Sequence, residues 1–299
     1  MTMTRMEFLA AFAAAACTAG LLSVGHAALA QDSKPVLSTE QIAQIVASPD
    51  RSAADRTNDQ RRKPEQMLKF IGIRPGITAL DISAAGGYTT ELLARAIGPT
   101  GAVYGQGPAP RTPDQPAMRP AVPEGDSNPN MMMAAPSAAT PPAAAPSAPR
   151  GFPAALADRA GKLGKNGAPI TPVVRSFDSP VPPDLAAGRI DLVTLMFNYH
   201  DLGYQGVDRA AMNKAVFAAL KPGGLYVIAD HAGRSGTGIS EAGTLHRIEE
   251  AFLVKEVEAA GFKLAAEGDF LHNPNDPRDK NTPNPPQPKD EFVVKFVKP

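Results

Sequence analysis

Four histidines lie at or just after the ends of segments with the composition of β-strands, or begin the helix that follows one. They are His200, His231, His246 and His272. Asp201 adjoins the first of them and Asp230 precedes the second. An imidazole changes charge near neutral pH, and a neighbouring carboxylate stabilises its protonated form and fixes its tautomer. We therefore predict a polar cleft in which His200, Asp201 and His231 are the candidate catalytic residues.

Two roles are open for His200. It can act as a base or contact a substrate, or it can hydrogen-bond a turn carbonyl and hold its loop in place. A metal centre is a weaker hypothesis, because the chain has no H-x-H or H-E-x-x-H spacing. No metal ligands are predicted on that basis.

The candidate residues depend on an alternation of strands and helices. Apolar runs predict strands at 77–82, 102–106, 170–177, 190–197, 225–229, 262–266 and 291–297. Helices are predicted from a capping box at Ser38, from Pro64, and over 89–97, 153–163, 208–220 and 244–260. Strands separated by helices are parallel neighbours, whereas the last two have no helix between them. The prediction is an α/β, Rossmann-like doubly wound sheet, mostly parallel, with a C-terminal antiparallel β-hairpin.

The first 30 residues have the pattern of a signal peptide. Arg5 supplies a positive charge, an apolar run follows, and Ala28-Leu29-Ala30 forms a cleavage site of small residues. An uncleaved membrane anchor and a lipoprotein lipidated at Cys17 are the weaker alternatives. The pattern predicts an exported protein, periplasmic or secreted, that is free of the membrane after cleavage.

Residues 107–150 differ from the sequence on either side. Of these 44 residues, 12 are Pro and 11 are Ala, and Leu, Ile, Phe, Tyr and Trp are missing. Such a segment cannot bury enough apolar surface to offset the entropy lost on ordering. We predict a disordered Pro/Ala-rich insert that divides one domain into parts 31–106 and 151–299.

Composition restricts the possible partners. Positive and negative side chains balance at 30 each, and there is no Trp. A neutral chain has no overall field that attracts nucleic acid, and few aromatic side chains could stack on bases. Cys17 is the only cysteine, so the mature chain has no thiolate catalyst. A small-molecule substrate is predicted, and the oligomeric state is left open.

The turn after the first strand is the first place where a ligand could approach the backbone. It runs from Asp81 to Tyr88 and contains only small residues between strand and helix. A ligand there would lie at a helix N-terminus and outside the carboxyl end of a strand, where open α/β sheets bind their ligands.

The segment from Asp81 through Ala94 resembles the first nucleotide-binding motif of class I S-adenosylmethionine-dependent methyltransferases. The segment from Leu220 to Leu225 is similar to that family's turn before its fifth strand. The segments at 198–202, 229–231, 245–248 and 257–262 resemble an exported bacterial branch of predicted methyltransferases. The resemblance covers about residues 38–106 and 151–299.

That resemblance implies S-adenosylmethionine as cofactor and assigns residues to it. The implied cofactor-binding residues are Asp81, Ser83, Ala85, Gly87, Gln106, Asp178 and Asn198. Asp178 would meet the adenine amino group, and Asn198 to Asp201 would border the methyl group and the substrate. Three departures are visible: Ser83 and Ala85 replace usual glycines, and Gln106 replaces the acidic residue that would bind the ribose hydroxyls.

The resulting prediction is a methyltransferase that acts on an unknown small molecule. Methyl transfer can be accelerated by alignment in a dry pocket, so a catalytic base is optional. The alternative is a non-catalytic exported binding protein on a degenerate methyltransferase scaffold, which the three departures favour. A dinucleotide oxidoreductase is weaker, because the first turn lacks G-x-G-x-x-G.

Overall fold

A computed structural model describes residues 35–108, 151–281 and 287–299. The predicted signal peptide and nearly all of the predicted insert lie outside these residues. The strands are β1 Thr78–Ile82, β2 Ala102–Gly107, β3 Ile170–Val174, β4 Ile190–Met196, β5 Leu220–His231, β6 Lys263–Gly268 and β7 Glu291–Val297. The helices are α1 Thr39–Val46, α2 Ala53–Arg62, α3 Pro64–Ile71, α4 Tyr88–Ile97, α5 Ala154–Leu163, α6 Tyr199–Tyr204, α7 Arg209–Ala219, α8 Ala242–Leu245 and α9 Glu250–Glu258.

All seven strands form one sheet in the order β3-β2-β1-β4-β5-β7-β6. β7 pairs antiparallel with both β5 and β6, whereas the other ladders are parallel. The predicted Rossmann-like sheet with a C-terminal antiparallel pair is confirmed. Successive strands are added on one side of β1 up to β3 and on its other side from β4 onward, so the carboxyl ends of β1 and β4 form the switch point at which ligands bind in such sheets.

Alternating side chains of the central strands supply the two cores. Leu80, Val193 and Leu195 face one layer of helices, which includes α7 and α9. Ala79 and Leu192 face the other layer, which includes α1, α3, α4 and α5. β4 is buried on both faces, as its apolar sequence predicts.

Several predicted bounds are wrong, each for a local reason. The predicted helix 244–260 is two helices, because His246 has a left-handed φ of 51° and the Arg247 guanidinium is buried against the Ala232 and Lys280 carbonyls. β3 ends at Val174 rather than at 177, and Pro172 is tolerated because β3 is an edge strand. The helix predicted over 208–220 ends at Ala219, after which β5 begins.

Helix α2 has no counterpart in the sequence prediction. Its residues are almost all polar, so it shows no apolar stripe. The Ser52 side chain caps its N-terminus, and ion pairs join Asp59 to Arg51 and Asp55 to Arg159. Within the three described ranges, no helix has the length and apolar character needed to cross a membrane.

Candidate functional site

The turn between β1 and α4 adopts the conformation that glycine normally supplies. Ser83 and Ala85 have φ values of 61° and 45°, and Gly87 has 81°. A left-handed conformation costs an L-residue with a side chain roughly 1–2 kcal/mol. The two replacements of glycine therefore keep the turn's backbone conformation and carry strain, instead of changing its path.

Two hydrogen bonds that the turn donates to Gln106 of β2 hold it in place. The Ala84 N–H donates to the Gln106 carbonyl at 2.8 Å, and the Ser83 N–H donates to Gln106 Oε1 at 3.2 Å. Gly86 is exposed, and a Cβ added there would meet nothing within 4 Å. The described part of the chain therefore leaves space directly beside the backbone of the turn.

Gln106 is fully buried, and its implied contact with the ribose stays a prediction. Its Nε2 donates to the Arg175 carbonyl at 2.7 Å while its Oε1 accepts from Ser83. Both ends of the amide are thus used to join β1, β2 and the segment after β3. The Phe152 ring covers the neighbouring Gly107, where an added Cβ would lie 2.8 Å from the ring.

Asp81 lies beneath the turn and is not exposed to a ligand. Its oxygens accept hydrogen bonds from Thr90 Oγ1 at 2.6 Å and Thr194 Oγ1 at 2.8 Å. Burial raises the pKa of this carboxyl to about 6, although both hydroxyl donors act in the opposite direction. Asp81 ties α4 to β1 and β4, which is a positioning role; its implied contact with the cofactor stays a prediction.

Asp178 is exposed and lies four residues beyond the end of β3. Its Oδ1 accepts a hydrogen bond of 2.6 Å from the backbone N–H of Asp208, the N-cap residue of α7. One carboxylate oxygen thus has a protein partner. Its assignment to the adenine amine stays a prediction.

The chain leaves β4 through a strained residue. Phe197 has a φ of 59°, which is unusual for a bulky side chain, and Asn198 follows as the N-cap residue of α6. Asn198 Oδ1 accepts from Ser83 Oγ at 2.8 Å, and its Nδ2 donates to Asp201 Oδ2 at 3.0 Å. Asn198 therefore connects the turn after β1 to the histidine-containing side of the site.

The structure brings three of the four histidines together. The ring centroids of His200 and His231 are 5.3 Å apart, and those of His200 and His246 are 5.5 Å apart. His272 pairs instead with Asp290, at 2.6 Å from Nδ1 to Oδ1. The predicted polar cleft thus contains His200, His231 and His246, which come from two strand ends and the break after α8.

His200 is held between two carboxylates. Its Nδ1 lies 2.6 Å from Asp230 Oδ1, and its Nε2 lies 3.0 Å from Asp201 Oδ1. Burial alone would lower the pKa of His200, but the two negative charges and their hydrogen bonds outweigh burial and raise it to about 9. At neutral pH the ring is an imidazolium with both nitrogens engaged, which opposes the predicted base role and favours the structural alternative.

Asp201 is the shared partner of two imidazoles. Its Oδ1 lies 2.9 Å from His246 Nδ1 in addition to its contact with His200. Burial alone would raise the pKa of Asp201. The hydrogen bonds from His200 and His246 together outweigh burial and hold this pKa well below its usual range. Asp201 is therefore an anion at neutral pH and cannot donate a proton.

His231 is the neutral imidazole of the group. Burial lowers its pKa well below the ordinary value, with Lys289 and His200 acting in the same direction. Its ring packs on Phe197 at a centroid distance of 5.7 Å. Its Nδ1 lies 3.0 Å from Glu291 Oε1, in an orientation that makes no hydrogen bond.

A half-buried arginine near the end of β4 was missed by the sequence analysis. The Arg62 guanidinium lies 4.2 Å from the centroid of the Phe197 ring and 5.8 Å from that of Tyr88. Burial lowers its pKa to about 10. It makes no hydrogen bond or ion pair within the described ranges. The apolar cavity beside it is lined by Met67, Leu68, Leu92, Leu93 and Met196.

Arg62 could not be recognised from sequence because it ends a helix with no apolar stripe, in the run Arg61-Arg62-Lys63. Such a run is typical of a solvated helix terminus. Its neighbour Arg61 does have a carboxylate partner, Glu291, at 2.8 Å.

No protein-family model matches the chain, and no curated protein matches its sequence. Among solved structures, it is similar to a SAM-dependent methyltransferase from Aquifex aeolicus, with a TM-score of 0.50 and 15% identity over 88% of this chain and 100% of that one. The [4+2]-cyclase SpnF aligns with a TM-score of 0.49 and 14% identity over 83% and 81% of the two chains. A putative methyltransferase from Bacillus halodurans gives 0.47 and 13% over 78% and 97%.

The similarity to the Aquifex aeolicus structure, at 15% identity, is a likeness of fold. The protein has the seven-stranded, Rossmann-like fold of class I S-adenosylmethionine-dependent methyltransferases, with its polar cluster at the carboxyl ends of the central strands.

Proposed function

We propose that the protein is an S-adenosylmethionine-dependent methyltransferase that acts on a small-molecule acceptor, and that it works after export. The observation that carries the proposal is the strained turn after β1. Ser83 and Ala85 hold left-handed conformations at the point where a ligand can approach the backbone. Strain of this kind persists where the surrounding structure enforces it and is concentrated at functional sites.

The residues at this end of the cleft fit the methionine part of the cofactor. The open space beside Gly86 admits a ligand, and Arg62 supplies a half-buried positive charge without a carboxylate partner among the described residues. A carboxylate such as that of methionine would complement this guanidinium. The part of the site where the ribose would lie is less typical of the family, because both polar atoms of the Gln106 side chain already have protein partners.

When bound, the cofactor would supply a methyl group on a sulfonium, which an acceptor displaces in line. The protein's own contribution is to align the partners and exclude water. His200 is already protonated and cannot accept a second proton. The lowered pKa of Asp201 makes its carboxylate a weaker base than a neutral imidazole. His231 is neutral, but burial lowers its pKa and makes it a weak base, so the chemistry best suited to this site is transfer to an acceptor that needs little help in deprotonation.

Calorimetric titration of the purified protein with S-adenosylhomocysteine tests the proposal. Gly86→Ala adds a methyl group where the protein has free space and should weaken binding by at least about tenfold, because ligand and backbone could no longer approach closely. Gly161→Ala adds the same group in open space within α5 and is the matched control, with unchanged binding expected. Wild-type protein without binding at millimolar ligand would contradict the proposal and favour the non-catalytic alternative.

A further inference from the structure

We propose that His200, Asp201 and His246 form a binding site for a divalent transition-metal ion, for which Zn²⁺ is the reference probe. Each of the three side chains offers one ligand atom, and these atoms lie within 4.8 Å of one another. The proposal is independent of the methyltransferase assignment, because the metal is measured in the absence of any S-adenosyl compound.

The spacing of the ligand atoms is that of a coordination sphere. Asp201 Oδ1 lies 3.0 Å from His200 Nε2 and 2.9 Å from His246 Nδ1. Ligands about 2.0–2.1 Å from a tetrahedral Zn²⁺ are separated by roughly 3.3 Å, so small movements would seat an ion between these atoms. The other oxygen of Asp201 already accepts a hydrogen bond from Asn198 Nδ2, which fixes the orientation of the carboxylate.

Asp230 orients the buried imidazole in the manner of an outer-shell carboxylate. Its Oδ1 lies 2.6 Å from His200 Nδ1, and its Oδ2 accepts the His200 backbone N–H at 2.8 Å. The Asp230 side chain is completely buried. A metal-binding histidine almost always donates its other ring N–H to such a group, which fixes the tautomer and leaves the remaining nitrogen as the ligand. In this arrangement His200 presents Nε2 to the proposed ion, which displaces the proton that Nε2 holds in the metal-free protein and releases it to solvent.

The backbone at His246 has an unusual conformation, and its side chain lies against Asp201. His246 is left-handed at a φ of 51°, and it interrupts a segment that would otherwise continue as one helix. Its ring makes an edge contact with Tyr204, at a centroid distance of 6.0 Å. Because non-glycine residues adopt this conformation at a cost, its presence beside Asp201 is an observation separate from the ligand spacing.

The donor set selects the kind of ion. Two imidazoles and one carboxylate suit zinc, cobalt, nickel or iron, whereas Mg²⁺ and Ca²⁺ prefer oxygen ligands. The side chains of Asp201 and His246 are about one-fifth exposed, so the site opens towards solvent on their side. Three protein ligands with an open side leave at least one position for water or for an oxygen of a bound molecule.

The test uses the whole protein, purified without a polyhistidine tag and freed of metal with a chelator that is then removed. Zn²⁺ is titrated into wild type, His246→Asn and His272→Asn, and the visible absorption of Co²⁺ is recorded for each. Asparagine tolerates a left-handed φ and can still donate to Asp201, so His246→Asn removes the ligand nitrogen with little disturbance of the chain. His272→Asn removes an imidazole that pairs with Asp290 outside the site.

We expect one equivalent of Zn²⁺ to bind to wild type, roughly 10–100-fold weaker binding to His246→Asn, and wild-type affinity in His272→Asn. Saturating Zn²⁺ should also raise the Tm of wild type by roughly 5 °C, a readout that does not depend on any variant folding. Absence of stoichiometric binding at about 100 µM free Zn²⁺, or equal affinity in wild type and His246→Asn, would overturn the proposal; physiologically relevant affinities are far tighter than that.

Discussion

The hydroxyl of Ser83 donates a hydrogen bond of 2.8 Å to Oδ1 of Asn198. This bond joins the turn after β1 to the residue that caps α6, across the switch point of the sheet. A glycine at position 83 would relieve the backbone but could not make this bond. Ser83 therefore has a strained backbone, and its side chain links the turn to the histidine cluster through Asn198.

Two substitutions at position 83 separate these effects. Ser83→Ala keeps the left-handed strain and loses the bond, and should lower the free energy of unfolding by about 1 kcal/mol. Ser83→Gly loses the same bond but removes strain of about 1–2 kcal/mol, so its stability should be close to that of wild type. Urea denaturation measures both, and a glycine variant less stable than the alanine variant would contradict the strain argument.

Asp81 gives a pH dependence of known sign. Its pKa is about 6 in the folded protein against an ordinary value of 3.8, so the folded state holds the proton more tightly between these values. Stability therefore falls as pH rises through this window, by up to about 3 kcal/mol for this group, and the loss is complete above both pKa values. The difference in unfolding free energy between wild type and Asp81→Asn should show this slope from pH 4 to 7. A difference that does not change with pH would show that Asp81 titrates normally.

His200→Asn tests the structural role of the imidazolium. The Asp230 carboxylate is completely buried, and removal of its positive partner should cost about 3–5 kcal/mol of unfolding free energy. His231→Asn removes a neutral ring from the same cluster and should cost less, because it leaves no buried charge unpaired. Denaturation in the presence of a chelator measures both variants. Equal losses would show that the charge of His200 is not what stabilises the cluster.

The histidine cluster illustrates how far the sequence could be interpreted. The placement of histidines and aspartates at strand ends predicts a shared cleft, because parallel strands end at one edge of the sheet. It does not reveal that Asp201 accepts from an imidazole 45 residues later, since this contact requires the break at His246. Periodicity also misses α2, whose helix is stabilised by ion pairs with distant residues such as Arg159. Pairings of this kind depend on tertiary contacts that leave no local pattern.

Arg62 and Arg61 provide a matched pair for the ligand pocket. Arg62→Met should keep or raise stability, because partial removal of a guanidinium from water without a carboxylate partner is unfavourable. The same change should weaken S-adenosylhomocysteine binding by at least about tenfold, through loss of a charge-assisted hydrogen bond. Arg61→Met should instead lower stability by about 2 kcal/mol or more, because it leaves Glu291 buried without its cation. Calorimetry and denaturation of both variants decide the assignment, which fails if Arg62→Met binds the ligand normally.

The contact between Gly107 and the Phe152 ring has a consequence for how the polypeptide can be rearranged. The two residues adjoin in space, although the intervening chain carries more than forty residues. The piece that ends at 108 holds β1 and β2, and the piece that begins at 151 holds the other five strands. If the peptide were cut between them, the described parts of the two pieces would still meet where Gly107 contacts the Phe152 ring. Two separately made fragments could then reassociate by pairing β1 with β4 and β2 with β3.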